Sequence, residues 1–281
     1  MAIDLHTHSR ASDGSDPPER IPELAAERRL AAVALMDHDT LEGIPAAARR
    51  ADELGIPLIP GVELSVEWPT GRMHLLAYFL EPGSGPLQDR LSELRRGREA
   101  RNRQIVEALR ADRIDITVEE VEAESGGGSV GRPHIAALLI RKGAVATMSE
   151  AFDRYLAEGR PAYRPRLRLA AAEAVRLTAT SGGVAVVAHP HTVAGRADEF
   201  STAFEEFAAI GVAGIECHYS EYPPEQRSSL AATATRFGLI ATGGSDYHGT
   251  YKPGLDLGVG RGDLAVPDDA YEALLAARPR P

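Results

Sequence analysis

Residues 31–39 read Ala-Ala-Val-Ala-Leu-Met-Asp-His-Asp, an unbroken apolar run that ends in three polar residues. A run without polar alternation is typical of a strand buried on both faces, as the strands of parallel sheets are. Segments with helical periodicity flank it at 17–29 and 41–54, and further strands are predicted beyond them at 2–5 and 56–60. This alternation of strands and helices predicts a mainly parallel α/β sheet or barrel.

The alternation is interrupted by one long segment that shows helical patterns only. A fourth strand is predicted at 74–80, but residues 86 to about 168 contain no convincing strand. The alternation then resumes, and the later strands are predicted at 184–188, 213–217 and 239–242. We therefore expect one α/β barrel that carries a helical insertion.

The chain accordingly divides into three parts. Residues 1–88 are predicted to form the first part of the barrel, 89–168 the helical insertion that caps the substrate, and 169–281 the second part. Residues 90–168 carry 16 Lys and Arg against 12 Asp and Glu, whereas the remainder carries 15 against 29. A cationic cap over an acidic body suggests that the insertion meets an anion. A solvated helix face with i,i+4 pairs such as Glu99–Arg103 would show the same excess.

The composition excludes several classes of protein. The chain has 281 residues and a net charge of -10, and its single cysteine, Cys217, forbids an internal disulfide and predicts a reducing compartment. No apolar run approaches the roughly 20 residues that cross a bilayer. His6 and His8 stand where a signal peptide would be apolar, so we expect a cytoplasmic protein. The excess of acidic residues argues against binding to membranes and against broad binding to double-stranded nucleic acid. It leaves room for a local basic site.

Potential metal ligands recur at the ends of the predicted strands. A single histidine at such a position is more often structural, and the argument depends on their joint occurrence. Because the carboxyl ends of parallel strands converge on one rim of a barrel, these side chains predict a polymetal site. Mixed imidazole and carboxylate ligands favour Zn, Mn or Fe ions, with Mg possible. The candidates are His6, His8, Asp13, His38, Glu63, His74, His189, Asp246 and His248.

In order along the chain, these residues resemble the motifs of the PHP (polymerase and histidinol phosphatase) superfamily. The insertion also resembles that of the TrpH-like phosphoesterases, through its sequence Arg132-Pro133-His134. The resemblance implies a distorted (β/α)7 PHP barrel with a helical insertion subdomain. The matching motifs are His6-Thr7-His8, Ser12-Asp13-Gly14, Asp37-His38-Asp39, Gly61-Val62-Glu63, His74, Ala188-His189-Pro190 and Ser245-Asp246-Tyr247-His248.

The resemblance also implies a trinuclear metal site. In the family pattern, Asp13, Glu63, His189 and Asp246 would have catalytic roles, and a hydroxide bridging the metals would attack phosphorus. The first metal would be held by His6, His8, Glu63 and Asp246; the second by Glu63, His74 and His189; the third by Asp13, His38 and His248.

The expected substrate is a small nucleotide or a short RNA. Family members hydrolyse 3′,5′-nucleoside bisphosphates such as pAp, act on AMP-type substrates, or degrade short RNA from the 5′ end. Arg132 and His134 are predicted to contact a phosphate, because a guanidinium offers it a bidentate fork. His191 and His218 are further candidates for lining the substrate pocket.

Three alternatives to a nucleotide phosphomonoesterase stay open. The first is a 5′–3′ exoribonuclease on short 5′-phosphorylated RNA, which the eight arginines between Arg90 and Arg113 favour. The second is a histidinol phosphatase, although the Arg-Pro-His insertion belongs to another branch. The third is a non-catalytic metal-binding module, against which the complete set of nine ligands argues. The oligomeric state is not predicted.

Overall fold

In the part of the chain that the structure describes, seven strands form a barrel, and an eighth, short strand pairs with one of them. The computed structural model describes residues 2–69, 71–125, 130–193 and 197–279. The strands are β1 (Ile3–Asp4), β2 (Ala32–Leu35), β3 (Leu58–Trp68), β4 (Gly71–Tyr78), β5 (Leu169–Ala170), β6 (Val184–Ala188), β7 (Gly214–Tyr219) and β8 (Ile240–Gly244).

The sheet runs in the order β1-β2-β3-β4-β6-β7-β8, and the short β5 pairs with β3 outside this path. The two end strands approach each other, since the backbone N–H of Leu5 donates to Gly243 O at 3.2 Å. A Cβ on Gly244 would lie 2.4 Å from the Cβ of His6, so this approach requires glycine. The sheet is therefore nearly closed, and the predicted distorted barrel is confirmed.

One strand runs against the others and accounts for the distortion. β4 pairs antiparallel with both β3 and β6, whereas the other neighbours along the sheet are parallel. A hairpin therefore joins β3 to β4, and β3 extends to Trp68 rather than ending near Pro60 as the sequence predicts. The long hairpin places His74 inside β4 and Glu63 inside β3, whereas the other candidate ligands lie in segments that follow their strands.

Helices cover the outside of the barrel, and their apolar faces follow the sequence pattern. In the second helix, Ile44, Ala47 and Ala51 are buried, and Gly55 ends it in the left-handed conformation. The tenth helix was not predicted. The α-helices of the described residues are α1 (Arg20–Glu27), α2 (Ile44–Leu54), α3 (Pro86–Ala111), α4 (Val118–Glu124), α5 (Arg132–Arg141), α6 (Met148–Ala151), α7 (Ala171–Thr180), α8 (Ala197–Ala209), α9 (Pro224–Arg236) and α10 (Asp269–Ala276).

The segment between β4 and β5 has an apolar core of its own. Side chains from α3 to α6 and from the turn Phe152–Leu156 that follows, including Ile105, Ile135 and Leu156, form a cluster separate from those of the barrel. The amino-terminal half of α3 instead packs on the barrel through Leu87 and Leu94. At 1.5 Å per residue, this 26-residue helix is about 39 Å long and ties the two cores together. Within the described residues, no helix is long and apolar enough to cross a membrane.

Candidate metal centre

The nine predicted ligands meet at one end of the barrel, with Glu63 of β3 at their centre. Its Oε2 lies 3.1 Å from His8 Nε2 and 3.3 Å from His6 Nε2. Its Oε1 lies 2.7 Å from His74 Nδ1 and 3.0 Å from His189 Nε2. Glu63 is 1% exposed. One buried carboxylate thus faces imidazoles from three other strands or strand ends.

Two further carboxylates complete the cluster. Asp13 Oδ1 lies 3.4 Å from His248 Nε2, and Asp13 Oδ2 lies 3.7 Å from His38 Nε2. Asp246 Oδ1 lies 3.4 Å from His8 Nε2 and 3.3 Å from His248 Nδ1. The ligand atoms form overlapping groups in which all lie within 4.8 Å of one another. These groups are His8, Asp13, His38 and His248; His6, His8 and Glu63; and His38, Glu63 and His74.

The donor set fits divalent metal ions. Nδ1 of His8 and of His189 is buried and has no hydrogen-bond partner among the described residues, which is costly for a polar atom unless a ligand satisfies it. Borderline metals such as Zn and Mn accept this mixture of imidazole nitrogen and carboxylate oxygen.

Three of the six non-glycine residues with positive φ in the described parts of the chain lie at the same rim. Asp39, His189 and Asp246 all adopt positive φ angles of 55°, 27° and 56°, which non-glycine residues rarely do. Such conformations persist where the surrounding structure enforces them, and they cluster at functional sites. At His189 and Asp246 they turn the chain sharply, directly after β6 and β8.

A buried glutamate of β7, which sequence reasoning missed, orients two of the ligands. Glu216 Oε1 lies 2.9 Å from His6 Nδ1, and its Oε2 accepts the backbone N–H of His189 at 2.7 Å. Carboxylates behind metal-binding histidines fix the ring orientation and the tautomer. The sequence did contain a sign of this role, because Glu216 is a charged residue inside the mostly buried strand Gly214–Tyr219.

Asp246 is held in a similar way from behind. The Tyr219 hydroxyl donates to Asp246 Oδ2 at 2.8 Å, and the Lys252 ammonium donates to the same oxygen. Oδ1 is thereby left facing the histidines. Sequence reasoning missed both partners, because neither belongs to a strand-end cluster of ligands.

Metal binding at this cluster should release protons. Burial alone would lower the pKa of His8, but the hydrogen bonds that its ring donates to Asp246 and Glu63 raise the pKa to about 9. A metal ion binds the neutral imidazole, so below pH 9 the proton must first leave and the apparent affinity falls as pH falls. We expect Mn²⁺ binding at pH 7 to release at least one proton, and affinity to rise about tenfold per pH unit per proton. Calorimetry in buffers of different ionisation enthalpy measures this number; no release would contradict the prediction.

An arginine-rich cavity of about 270 Å³ opens over the cluster. Guanidinium groups from α3, α5 and the segment before β5 line this cavity together with several of the candidate metal ligands. We call it the arginine cavity; it is lined by Arg98, Arg101, Arg132, Arg164, Arg166 and Arg168, together with Asp13, His38, His74 and His189.

Arg101 is the most unusual of these groups. It is 7% exposed, and its only hydrogen bond in the described parts of the chain is to the Asn102 side chain. Arg98 and Arg166, by contrast, both pair with Asp39. Burial and then the neighbouring Arg166 and Arg98 lower the pKa of Arg101 well below its usual range. A buried cation among like charges without a carboxylate is stabilised when an anion enters the cavity.

The four residues predicted to contact the substrate lie in different places in the structure. Arg132 lines the cavity, donates to Leu156 O at 3.0 Å and stacks near Phe152. His134 is fully buried beside it; its Nδ1 accepts the Gly131 N–H, so Nε2 carries the proton.

His191 borders a shallow pocket that also contains Glu63, His189 and Lys252, and its Nδ1 lies 2.8 Å from the Tyr222 hydroxyl. His218 is not brought to either of these pockets. A register shift in β7 separates it from Glu216, and the charged groups near it are Arg227 and Asp269.

A barrel rim that gathers imidazole and carboxylate ligands beneath a cationic cavity defines a metal-dependent phosphoesterase. The family follows from the sequence match: the PHP domain family covers residues 4–213, and the chain belongs to it.

Named relatives agree with this class. The chain is 36% identical to the 3′,5′-nucleoside bisphosphate phosphatase of Chromobacterium violaceum, covering 91% of this chain and 90% of the relative. It is 34% identical to the 5′-3′ exoribonuclease Rnm of Salmonella typhimurium, covering 88% and 85%. Its fold matches a candidate metal-dependent phosphoesterase from Bifidobacterium adolescentis with a TM-score of 0.86 and 32% identity, covering 99% and 96%.

Proposed function

We propose that the protein hydrolyses the phosphomonoester of a small nucleotide that carries two phosphates, such as the 3′,5′-bisphosphate pAp. The observation that carries this proposal is the buried Arg101, which has no carboxylate partner in the described chain and lines the same cavity as the ligand cluster. One phosphate would lie at the cluster and the second at the guanidiniums. The Chromobacterium violaceum relative, named for such substrates, supports the same chemistry.

The ligand cluster would hold two to three divalent ions, Mn, Zn or Fe. His6, His8, Glu63 and Asp246 would hold one, Glu63 would share a second with His74 and His189, and Asp13, His38 and His248 would hold a third. Bound ions would supply a nucleophile from water at neutral pH and neutralise the phosphate oxygens. The ligands Asp13, Glu63, His189 and Asp246 are the residues that we propose as catalytic.

The chain's own residues would bind and orient the nucleotide. Arg132 is held by Leu156 O and by aromatic rings, so its guanidinium is positioned before a substrate arrives. Arg166 and Arg98 share Asp39, which holds them at the cavity wall and reduces the local charge. The α3–α6 segment would thus act as a substrate cap that brings cations to the acidic barrel.

A second candidate function is 5′–3′ exonucleolysis of short RNA. The Salmonella typhimurium relative carries this name. In the structure, the row of arginines at Arg164, Arg166 and Arg168 favours a substrate longer than one nucleotide, because it adds cations beyond those that two phosphates need. The same ligand cluster could serve both reactions.

A phosphate-release assay with Mn, Zn, Fe and Mg tests the proposal. We expect pAp to be hydrolysed at least tenfold more efficiently than AMP, because AMP lacks the second phosphate, and EDTA to abolish activity. Histidinol phosphate and a 5′-phosphorylated trinucleotide RNA complete the panel. Equal rates on pAp and AMP, or faster hydrolysis of histidinol phosphate, would refute the two-phosphate substrate.

A further inference from the structure

We infer that Arg168 and Trp68 form a binding strip for a downstream nucleotide of a single-stranded oligoribonucleotide whose first nucleotide lies at the ligand cluster. The inference rests on the proposed function and extends it from mononucleotides to strands. Three observations carry it: the alternation of the segment before β5, the position of Arg168 between two cavities, and the pairing of β5 with β3.

The segment before β5 points its arginines to one side. Pro165 and Leu167 are exposed, whereas Arg164, Arg166 and Arg168 are partly buried and line the arginine cavity. This is the period of two that an extended chain produces. Arg166 is engaged by Asp39, and Arg164 donates to the carbonyls of Pro161 and Tyr163. Arg168 makes no hydrogen bond or ion pair within the ranges that the structure describes, so its guanidinium is available to a ligand.

Arg168 also lines a second cavity, and this side chain is shared by the two cavities. This cavity has a volume of about 520 Å³ and is lined by Glu67, Trp68, Pro69, Arg168 and Ala170. A chain leaving the ligand cluster past Arg164 and Arg166 would meet Arg168 and then enter it. Spaced cations along one wall follow a phosphodiester backbone better than they enclose one small anion.

The outer cavity offers a surface for a base rather than for another phosphate. Trp68 is partly exposed, and its ring packs 4.7 Å from that of the fully buried Phe207, which fixes its orientation. Aromatic rings bind successive bases of single strands by stacking, with little sequence preference. The carboxylate of Glu67 disfavours a phosphate at the same place, which leaves Arg168 as the phosphate contact.

The two-residue strand β5 fixes this geometry. Leu169 pairs with Val66 and Ala170 with Glu67. Arg168, the residue before Leu169, is therefore held beside β3. The same strand β3 carries Glu63 and Trp68. The ligand cluster and the proposed base contact are therefore rigidly related through one element, as a site that measures substrate length requires.

Trp68 is the only tryptophan of the chain, so its fluorescence reports this strip directly. We expect a 5′-phosphorylated trinucleotide RNA to quench the fluorescence of the EDTA-treated protein, and pAp to quench it far less. Arg168→Gln, which retains the tryptophan, should weaken the trinucleotide's Kd about tenfold. Exposed Arg160 lines neither cavity, and Arg160→Gln is the matched control that should bind as the original protein does.

Turnover gives an independent readout. Trp68→Leu and Arg168→Gln should each lower kcat/KM for the trinucleotide at least fivefold more than kcat/KM for pAp. No quenching by the RNA, or equal losses on both substrates, would overturn the strip. Failure of every substrate to react in the metal-loaded protein would instead refute the proposed function, and the metal-free fluorescence titration would still decide whether the strip binds RNA.

Discussion

Glu63→Gln is expected to lower kcat/KM for pAp by at least about 10³-fold while leaving the fold intact. The carboxylate of Glu63 lies within 3.3 Å of His6 and His8, which would hold the first ion, and of His74 and His189, which would hold the second. Burial would raise its pKa, but His38, His74 and His6 hold the pKa well below its usual value, so it is ionised. Glutamine keeps its shape and removes the charge that would join two metal ions.

The measurements are metal content per chain and steady-state kinetics on pAp. We expect the variant to bind fewer ions than the original protein and to keep its circular dichroism spectrum. Glu107→Gln, on the exposed face of α3, is the control that should change neither quantity. A Glu63→Gln protein with more than a tenth of the original activity would show that this carboxylate does not organise the centre.

The candidate ligands could be predicted because each lies at a strand end in the sequence, whereas their supporting residues could not. His6 and His8 are recognisable from their spacing together with the other strand-end ligands. Glu216 supports His6 across 210 positions of sequence, and only the folded barrel shows that they touch. Lys252 is close in sequence to Asp246, but it belongs to no ligand motif, so its contact with Asp246 was not predicted.

The order of the strands along the chain could be predicted from the sequence, but the direction of each strand in the sheet could not. Nothing in the apolar run before Leu80 distinguishes a parallel strand from the antiparallel β4, because both are buried on two faces. The length of β3 follows from that direction, since the hairpin allows pairing of Trp68 with Gly71. His218 illustrates the converse difficulty: a register shift at Glu216 changes where it lies, and sequence carries no sign of the shift.

In the arginine cavity, the side chain of Arg101 illustrates a trade-off between the stability of the free protein and the binding of an anion. Arg101 lies on a strongly polar helix, where the sequence gives no reason to choose it over its exposed neighbour Arg103. The fold buries it beside Arg98, Arg132 and Arg166, and no carboxylate pairs with it in the described chain. A cation kept in such a position without an ion pair lowers the stability of the free protein.

Arg101→Met should therefore raise stability and lower activity together. Methionine has similar length without the charge, so we expect the metal-free protein to gain about 1 kcal/mol, or roughly 2–4 °C in Tm. The same change should lower kcat/KM for pAp about 100-fold, because a charge-assisted phosphate contact is lost, and lower kcat/KM for AMP much less. Arg103→Met, exposed on the same helix, should leave both Tm and kcat/KM unchanged.

Inorganic phosphate separates a binding role of Arg101 from a purely structural one. A ligand that binds only the folded state raises Tm with its concentration, so phosphate should stabilise the original protein and stabilise Arg101→Met much less. A structural arginine would behave oppositely: its loss would lower Tm, and the phosphate response would persist. If Arg101→Met unfolds at a lower temperature and still responds to phosphate, the anion lies elsewhere in the cavity and Arg132 becomes the next residue to test.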